Sequence, residues 1–293
     1  MLEDLEEINL TANKIENIPN CGMKKLREYY VVKNSLKNIS QVNWEEYQNL
    51  ETLDLNTNQI KEIPSSIIEM KNLTTLSLSM NEIDEFPLFF ADFSSSIAIL
   101  VLSGNYIQEL PHLNRTIPRK LNLTILDLSF NKISKIEPKF FEIFSVEYLF
   151  ISNNSINVLP MLPQQIKVLI MRNNKFTDVS QINLFADYPQ LGFIDASNNS
   201  FDGVFNLNWM VGMMNLYNNS NLRIESYQFD YPMYLEYNKE NVLRCSSIYS
   251  SYISNNRASF NLTTRVKGRN LIMIDPSVIN YSNCQCIFGK TII

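Results

Sequence analysis

The chain has 293 residues, 45% of them hydrophobic and 19% charged, with a net charge of −5, four Cys and one His. An apolar fraction of this size belongs to a folded chain and excludes a disordered tail. The acidic balance argues against a sequence-independent grip on nucleic acid or on an anionic membrane, and with His112 as the only histidine no three-His metal site can be built.

In chain order the organisation follows the asparagines. Asn13, Asn34, Asn58, Asn81, Asn105, Asn131, Asn154, Asn174, Asn199 and Asn219 are separated by 21, 24, 23, 24, 26, 23, 20, 25 and 20 residues, and one apolar template surrounds each. In the third repeat it reads Leu50, Leu53, Leu55, Asn58, Ile60, Ile63, Pro64; in the seventh, Val146, Leu149, Ile151, Asn154, Ile156, Leu159, Pro160. The alternating pair, as in Leu53 and Leu55, predicts a short strand with one buried face. An Asn at the buried turn that follows has two donors and a carbonyl for backbone groups that a tight curve leaves unpaired, so the ten amides are expected to form a ladder from coil to coil. Where Pro follows the last apolar position, at Pro19, Pro64, Pro87, Pro111 and Pro160, it ends extended structure and turns the chain away from the strand side. One coil cannot bury its own apolar face, so stability is expected from stacking on neighbours.

The pattern LxxLxLxxNxIxxIP resembles the leucine-rich repeat family and runs from residue 5 to about residue 222. The resemblance implies an α/β solenoid, a horseshoe of about ten coils with a concave parallel sheet, a convex side of short helices, 3-10 turns or loops, and a C-terminal cap. The expected division is a solenoid over 1–222 and, over 223–293, a cap with the start of a cysteine-rich module. The cap segment is rich in Tyr and Ser and holds Cys245, Cys284 and Cys286. Its ending, Asn-Cys-Gln-Cys-Ile-Phe-Gly, resembles the opening of an EGF-like module, although Ile287 and Phe288 stand where that family has Pro-Gly. One reading pairs one of Cys284 and Cys286 with Cys245 and leaves the other for a cysteine beyond Ile293; all four cysteines reduced is the competing reading. Repeat material starts directly behind Met1 without a polar cap, so the sequence reads as a fragment or a truncated one. It shows no secretory leader and no apolar run of spanning length, and membrane attachment is expected only through parts outside this chain.

Ten Asn-x-Ser/Thr sequons begin at Asn9, Asn38, Asn72, Asn114, Asn122, Asn153, Asn198, Asn218, Asn261 and Asn280. With 38 Asn and 39 Ser plus Thr, random placement would give about five. Three of them, Asn153, Asn198 and Asn218, recur at one template position through repeat copying. The glycosylation candidates taken from the remaining seven are Asn72, Asn114, Asn122, Asn261 and Asn280. Sequons and cysteines together favour an extracellular or cell-surface location.

Binding in such a solenoid is expected at the outward strand positions, which are rigid and lie about 4.8 Å from their neighbours. Between the inward residues the chain places Asn9, Tyr30, Asp54, Ser77, Val101, Asp127, Phe150, Ile170, Asp195 and Asn215; one outward position earlier it places Glu7, Glu28, Thr52, Thr75, Ile99, Ile125, Tyr148, Val168, Phe193 and Met213. The early repeats are polar or acidic there, and the later ones apolar and aromatic. The candidate partner-binding set is Val101, Ile125, Asp127, Phe130, Tyr148, Phe150, Ile170, Arg172, Phe193 and Asp195, an apolar patch rimmed by charge. The alternative is that these are β-formers shielding the strands.

No catalytic constellation can be read. His112 beside Pro111 is a solvated corner histidine, Glu3, Asp4, Glu6 and Glu7 a solvated face, and no cysteine has an activating basic partner. Neither a metal nor a cofactor is expected. Two functional readings follow: a non-catalytic receptor-like or adhesion ectodomain that binds a protein, peptide or glycan on its concave face, or a cytoplasmic scaffold of signalling proteins, whose Ras-suppressor-type repeats the Ile-Pro endings resemble.

Overall fold

The structure is a computed structural model that describes residues 4–20, 23–92, 96–111, 121–207 and 213–226, together with short strand segments at 234–236, 244–245, 265–266 and 269–270. Cys21, His112, Asn114, Asn261, Asn280, Cys284 and Cys286 lie outside the described residues, and Cys245 closes the two-residue strand Arg244–Cys245.

Among the described residues eleven strands form one parallel sheet, each beside the strand of the next coil: Glu7–Asn9, Glu28–Tyr30, Thr52–Asp54, Thr75–Ser77, Ile99–Val101, Leu121–Asp127, Phe144–Phe150, Val168–Ile170, Phe193–Asp195, Met213–Asn215 and Tyr234–Glu236. The chain is thus an α/β leucine-rich repeat horseshoe. Its last sheet strand lies beyond residue 222, one strand further than the asparagine count indicates.

Most strands are three residues long because the template turns the chain inward directly after its paired leucines. The residue before each ladder asparagine adopts left-handed backbone, with φ between 52 and 68 degrees at Ala12, Lys33, Thr57, Met80, Gly104, Phe130, Asn153, Asn173, Asn198 and Asn218. That conformation costs an L-residue about 1–2 kcal/mol, so the turn must be held by something stronger. The ladder supplies it. From Asn58 to Asn219, Nδ2 donates to the carbonyl three residues back and to the matching carbonyl of the preceding coil, the latter at 2.9 to 3.2 Å. In each coil from Asn34 onward Oδ1 accepts a backbone N–H of the preceding coil at 2.9 to 3.3 Å. Asn13, in the first coil, is exposed and donates only within its own coil, to the Leu10 and Thr11 carbonyls.

The inward leucines and isoleucines stack into one continuous core, with Leu53, Leu76, Leu100, Leu126, Leu149, Leu169 and Ile194 all fully buried in register. On the convex side Pro64 caps the 3-10 helix Ser65–Glu69 with extended backbone, and Pro87 precedes the 3-10 helix Leu88–Asp92. Four phenylalanines close the middle coils: Phe140 lies 5.1 Å edge-on from Phe86 and 4.9 Å from Phe144, and Phe141 packs edge-on against it at 5.1 Å. The seventh coil, 20 residues long, sits beside an eighth of 25 that carries helical turns at Ser180–Asn183 and Leu184–Asp187. That step leaves a cleft lined by Leu159, Met161, Leu184, Phe185 and Tyr188 on the convex side.

Candidate functional site

Register places the outward residues in two rows across the concave face. Val101, Asp127, Phe150, Ile170 and Asp195 are paired in succession, and so are Ile99, Ile125, Tyr148, Val168 and Phe193. The residues expected to form the patch therefore neighbour one another. They are not equally open. Val101, Asp127, Tyr148, Phe150, Arg172 and Phe193 are half-buried, whereas Ile125, Ile170 and Asp195 are buried, at 3%, 8% and 3% exposure. The surface a partner can touch is therefore narrower than the sequence pattern indicates. Phe130 is the opposite case. It is 59% exposed and holds left-handed backbone, a conformation rare for a bulky side chain.

The middle row has a structural role wherever it carries Asp or Asn. Oδ1 of Asn9, Asp54, Asp127, Asp195 and Asn215 accepts the backbone N–H two residues on, at Thr11, Asn56, Ser129, Ser197 and Tyr217, over 2.9 to 3.0 Å. These are Asx turns, and they cap an amide that faces the concave side. Val101, Phe150 and Ile170 have no oxygen to offer there, so three coils forgo a bond that five others make. Burial raises the carboxyl pKa values of Asp54, Asp127 and Asp195, and the Asx and serine hydrogen bonds counteract it. At Asp195 the charge of Arg172 adds to that counteraction.

Sequence reasoning missed two features. Two residues beyond the middle row lies a polar row in which Asn56 Oδ1 accepts the Ser77 hydroxyl at 2.8 Å, and the hydroxyls of Ser79 and Ser103 are 3.0 Å apart. Its signal is the recurrence of Ser at 79, 103, 129, 152 and 197. The second is an exposed apolar rim at the left-handed turns of the fourth to sixth coils. Met80 is 61% and Tyr106 46% exposed, with Phe130 beside them. Met80 lies across Gly104, whose added Cβ would stand 2.4 Å from the Met80 sulfur. Lys132 sits over the Tyr106 ring, 4.4 Å from its centroid. The site thus continues from Val101, Asp127 and Phe150 over the sheet's edge.

Of the sequons, Asn9, Asn38, Asn72, Asn122, Asn198 and Asn218 are exposed. Asn173 donates to Asn153 Oδ1 at 2.5 Å and Asn218 to Asn198 Oδ1 at 2.8 Å, a second amide row along the left-handed turns. Nδ2 of Asn153, the atom a glycan would take, is shielded from solvent. Among the described residues, no three His, Cys, Asp or Glu side chains converge as metal ligands, and no helix is long and apolar enough to cross a membrane.

A parallel sheet stitched by an asparagine ladder, with residues that differ from coil to coil on the concave side, is the fold of leucine-rich repeat proteins. Models of the leucine-rich repeat match residues 48–89, as two copies, and 122–143. Among curated proteins the chain is similar to human leucine-rich repeats and immunoglobulin-like domains protein 3, 26% identical over 138 residues, which is 46% of this chain and 12% of that protein. It is also similar to mouse epiphycan, 24% identical over 175 residues, 58% of this chain and 45% of that one. The chain therefore spans less than half the length of either relative. Among solved structures, the leucine-rich repeat domain of APL1B shares the fold at a TM-score of 0.60 and 20% identity, covering 83% of this chain and 75% of that one. A leucine-rich repeat protein of Leptospira interrogans does so at 0.57 and 19%, over 82% and 58%.

Proposed function

We propose that this chain is the binding region of a receptor-like or adhesion protein exposed outside the cell or on its surface, and that it engages a protein, peptide or glycan on the concave face without catalysing a reaction. The observation that carries the reading is the strip formed by Val101, Tyr148, Phe150 and the 59% exposed Phe130. Apolar side chains here replace the Asx turns of other coils, and an aromatic ring is held out in a strained conformation, a combination that packing of the fold does not need. Solenoid and cap, divided near residue 222, are part of the same proposal, with Cys245, Cys284 and Cys286 serving the cap.

Photo-crosslinking groups at positions 130 and 150, introduced in the cell that makes the protein, test the surface. Partner adducts should form there and not from position 184 on the convex side; adducts from position 184 alone would refute the concave site. Compartment is tested separately, by glycosidase-sensitive mass at Asn72 and Asn122, both of which are exposed. If both carry no sugar and the cysteines are reduced, the cytoplasmic scaffold reading replaces the extracellular one.

A further inference from the structure

The concave face is acidic in a regular way. Among the described residues its outward rows carry Glu7, Glu28, Asp54, Asp127 and Asp195 and no Lys or Arg, while Arg172 stands two residues beyond the middle row. Other charges near the strands neutralise each other: Arg27 pairs with Glu51 at 2.7 Å and Lys167 with Glu147 at 2.7 Å. In the middle row the aspartates fall in the third, sixth and ninth coils. Three strand spacings of about 4.8 Å separate Asp54 from Asp127 by about 14 Å, and Asp195 follows at the same interval. Extended polypeptide advances about 3.3 Å per residue, so about four residues cover one interval. Between and beside these carboxylates lie the apolar surfaces of Val101 and Phe150, and at the edge Met80 and Phe130.

We propose that the occupant of the concave face is an extended polypeptide segment running across the strands, which presents Lys or Arg about every fourth residue to Asp54 and Asp127 and rests an apolar side chain between them on Val101, Phe150 and the Met80–Phe130 rim. The inference rests on the concave-face reading above and narrows its partner from protein, peptide or glycan to a basic polypeptide. Three physical points support it. Charge complementarity selects a cationic partner over an anionic one and steers its approach. The repeat of the acidic positions matches the rise of an extended chain and gives a register. Met80 is unbranched and its sulfur polarisable, so it can adapt to the apolar side chain of a flexible ligand. Asp195 contributes least, being buried and facing Arg172.

The test is selection of a random twelve-residue peptide library, displayed on phage, against the immobilised full chain. Enriched peptides should carry two Lys or Arg about four residues apart with an apolar residue between them. Their affinity should fall at least about tenfold in Asp54→Asn and in Asp127→Asn and weaken with added salt. Both variants are expected to fold, because Asn9 and Asn215 already make the same Asx turn in this row at 3.0 and 2.9 Å; an unchanged or raised thermal midpoint verifies it. Enriched peptides without basic residues, affinities that both Asp variants leave intact, or no enrichment at all would each overturn the inference. Peptides that are insensitive to the Asp variants yet lost in Phe130→Asn with Phe150→Ser would overturn it while leaving the concave site standing. Peptides insensitive to all four substitutions would remove both.

Discussion

At the inner turn every coil from Asn34 to Asn219 places one side chain in one set of bonds, whereas a few ångströms away the outward row changes from Asp to Ser to Val to Phe. Both columns repeat with the same backbone. The difference lies in access to water. A turn amide or carbonyl between stacked coils has no solvent partner, so only a side chain with two donors and an acceptor can satisfy its neighbours in both coils. A concave amide can be solvated when its Asx cap is absent, so the outward residue is free to be chosen for a ligand.

The largest effect that can break this comparison is Asn105→Ala. The Leu78 carbonyl keeps Asn81 and the Leu102 carbonyl keeps Asn131, but the buried Ile83 N–H loses its one acceptor. One stranded donor, three lost Nδ2 bonds and a small void are expected to cost about 2–4 kcal/mol in urea unfolding. Asp54→Val, which removes one partly exposed Asx bond, is expected to stay within about 1 kcal/mol. Similar losses in the two variants would mean that the concave row is as constrained by the fold as the ladder is.

A second, smaller contrast separates Gly104 from Phe130, which hold the same left-handed turn one coil apart. Gly104→Val adds a β-branched side chain at a φ of 68 degrees, 2.4 Å from the Met80 sulfur at its Cβ. A loss of about 2 kcal/mol is expected in thermal or urea unfolding. Phe130→Gly runs the other way: it releases strain, but also frees the unfolded chain, so stability should change by less than about 1 kcal/mol. Partner adducts at the concave face should nevertheless diminish. If Phe130→Gly destabilises as much as Gly104→Val, the ring is part of the packing and not held out for a partner.

These two positions also show what the sequence could reveal. The ladder was legible because one chemistry is forced at each coil, and the outward rows were legible because their position relative to Leu53 and Leu55 or Leu100 and Leu102 is fixed by the alternation of a strand. The left-handed column was legible only in half: Gly104, Asn153, Asn173, Asn198 and Asn218 are of types that favour that backbone, whereas Ala12, Lys33, Thr57, Met80 and Phe130 share nothing but their place before an Asn. Conformation there is imposed by the ladder that follows, not by the residue itself. Exposure within a row was likewise illegible: Ile170 and Phe150 occupy equivalent positions, yet only Ile170 is buried, because exposure depends on the surrounding coils and not on the place in the template.

Asp195 sharpens the comparison through pH. Burial raises its folded carboxyl pKa, so the native state holds that proton more tightly than the unfolded chain does. The charged form penalises folding at neutral pH, and the penalty is relieved as pH falls through the folded value, completely so below the unfolded value of about 3.9. Asp195→Asn retains the Asx acceptor without the charge. Its thermal midpoint should exceed that of the parent at pH 7, and the advantage should vanish near pH 4. A constant advantage across that range would mean the carboxyl is solvated and the face more open at the ninth coil than its 3% exposure indicates.

The smallest effect concerns the early coils, where the outward side chains are polar and satisfy each other. The Tyr30 hydroxyl donates to Glu28 Oε2 at 2.6 Å, and this bond, followed by burial and the charges of Glu28, Glu7 and Asp54, pushes the phenol pKa up to about 12. Its contribution to stability is present below the unfolded tyrosine value of about 10 and is lost as pH rises through about 12, far above neutrality. Stability near neutrality therefore reports nothing of it, and the measurement is spectral. The tyrosinate absorbance of the parent minus that of Tyr30→Phe should show one phenol ionising above the rest, and Glu28→Gln should bring its midpoint down toward 10. A Tyr30 that ionises near 10 in the parent would mean the pair is open in solution. The second coil would then offer a free hydroxyl and a free carboxylate to a ligand, and the binding surface would begin four coils before Asp127.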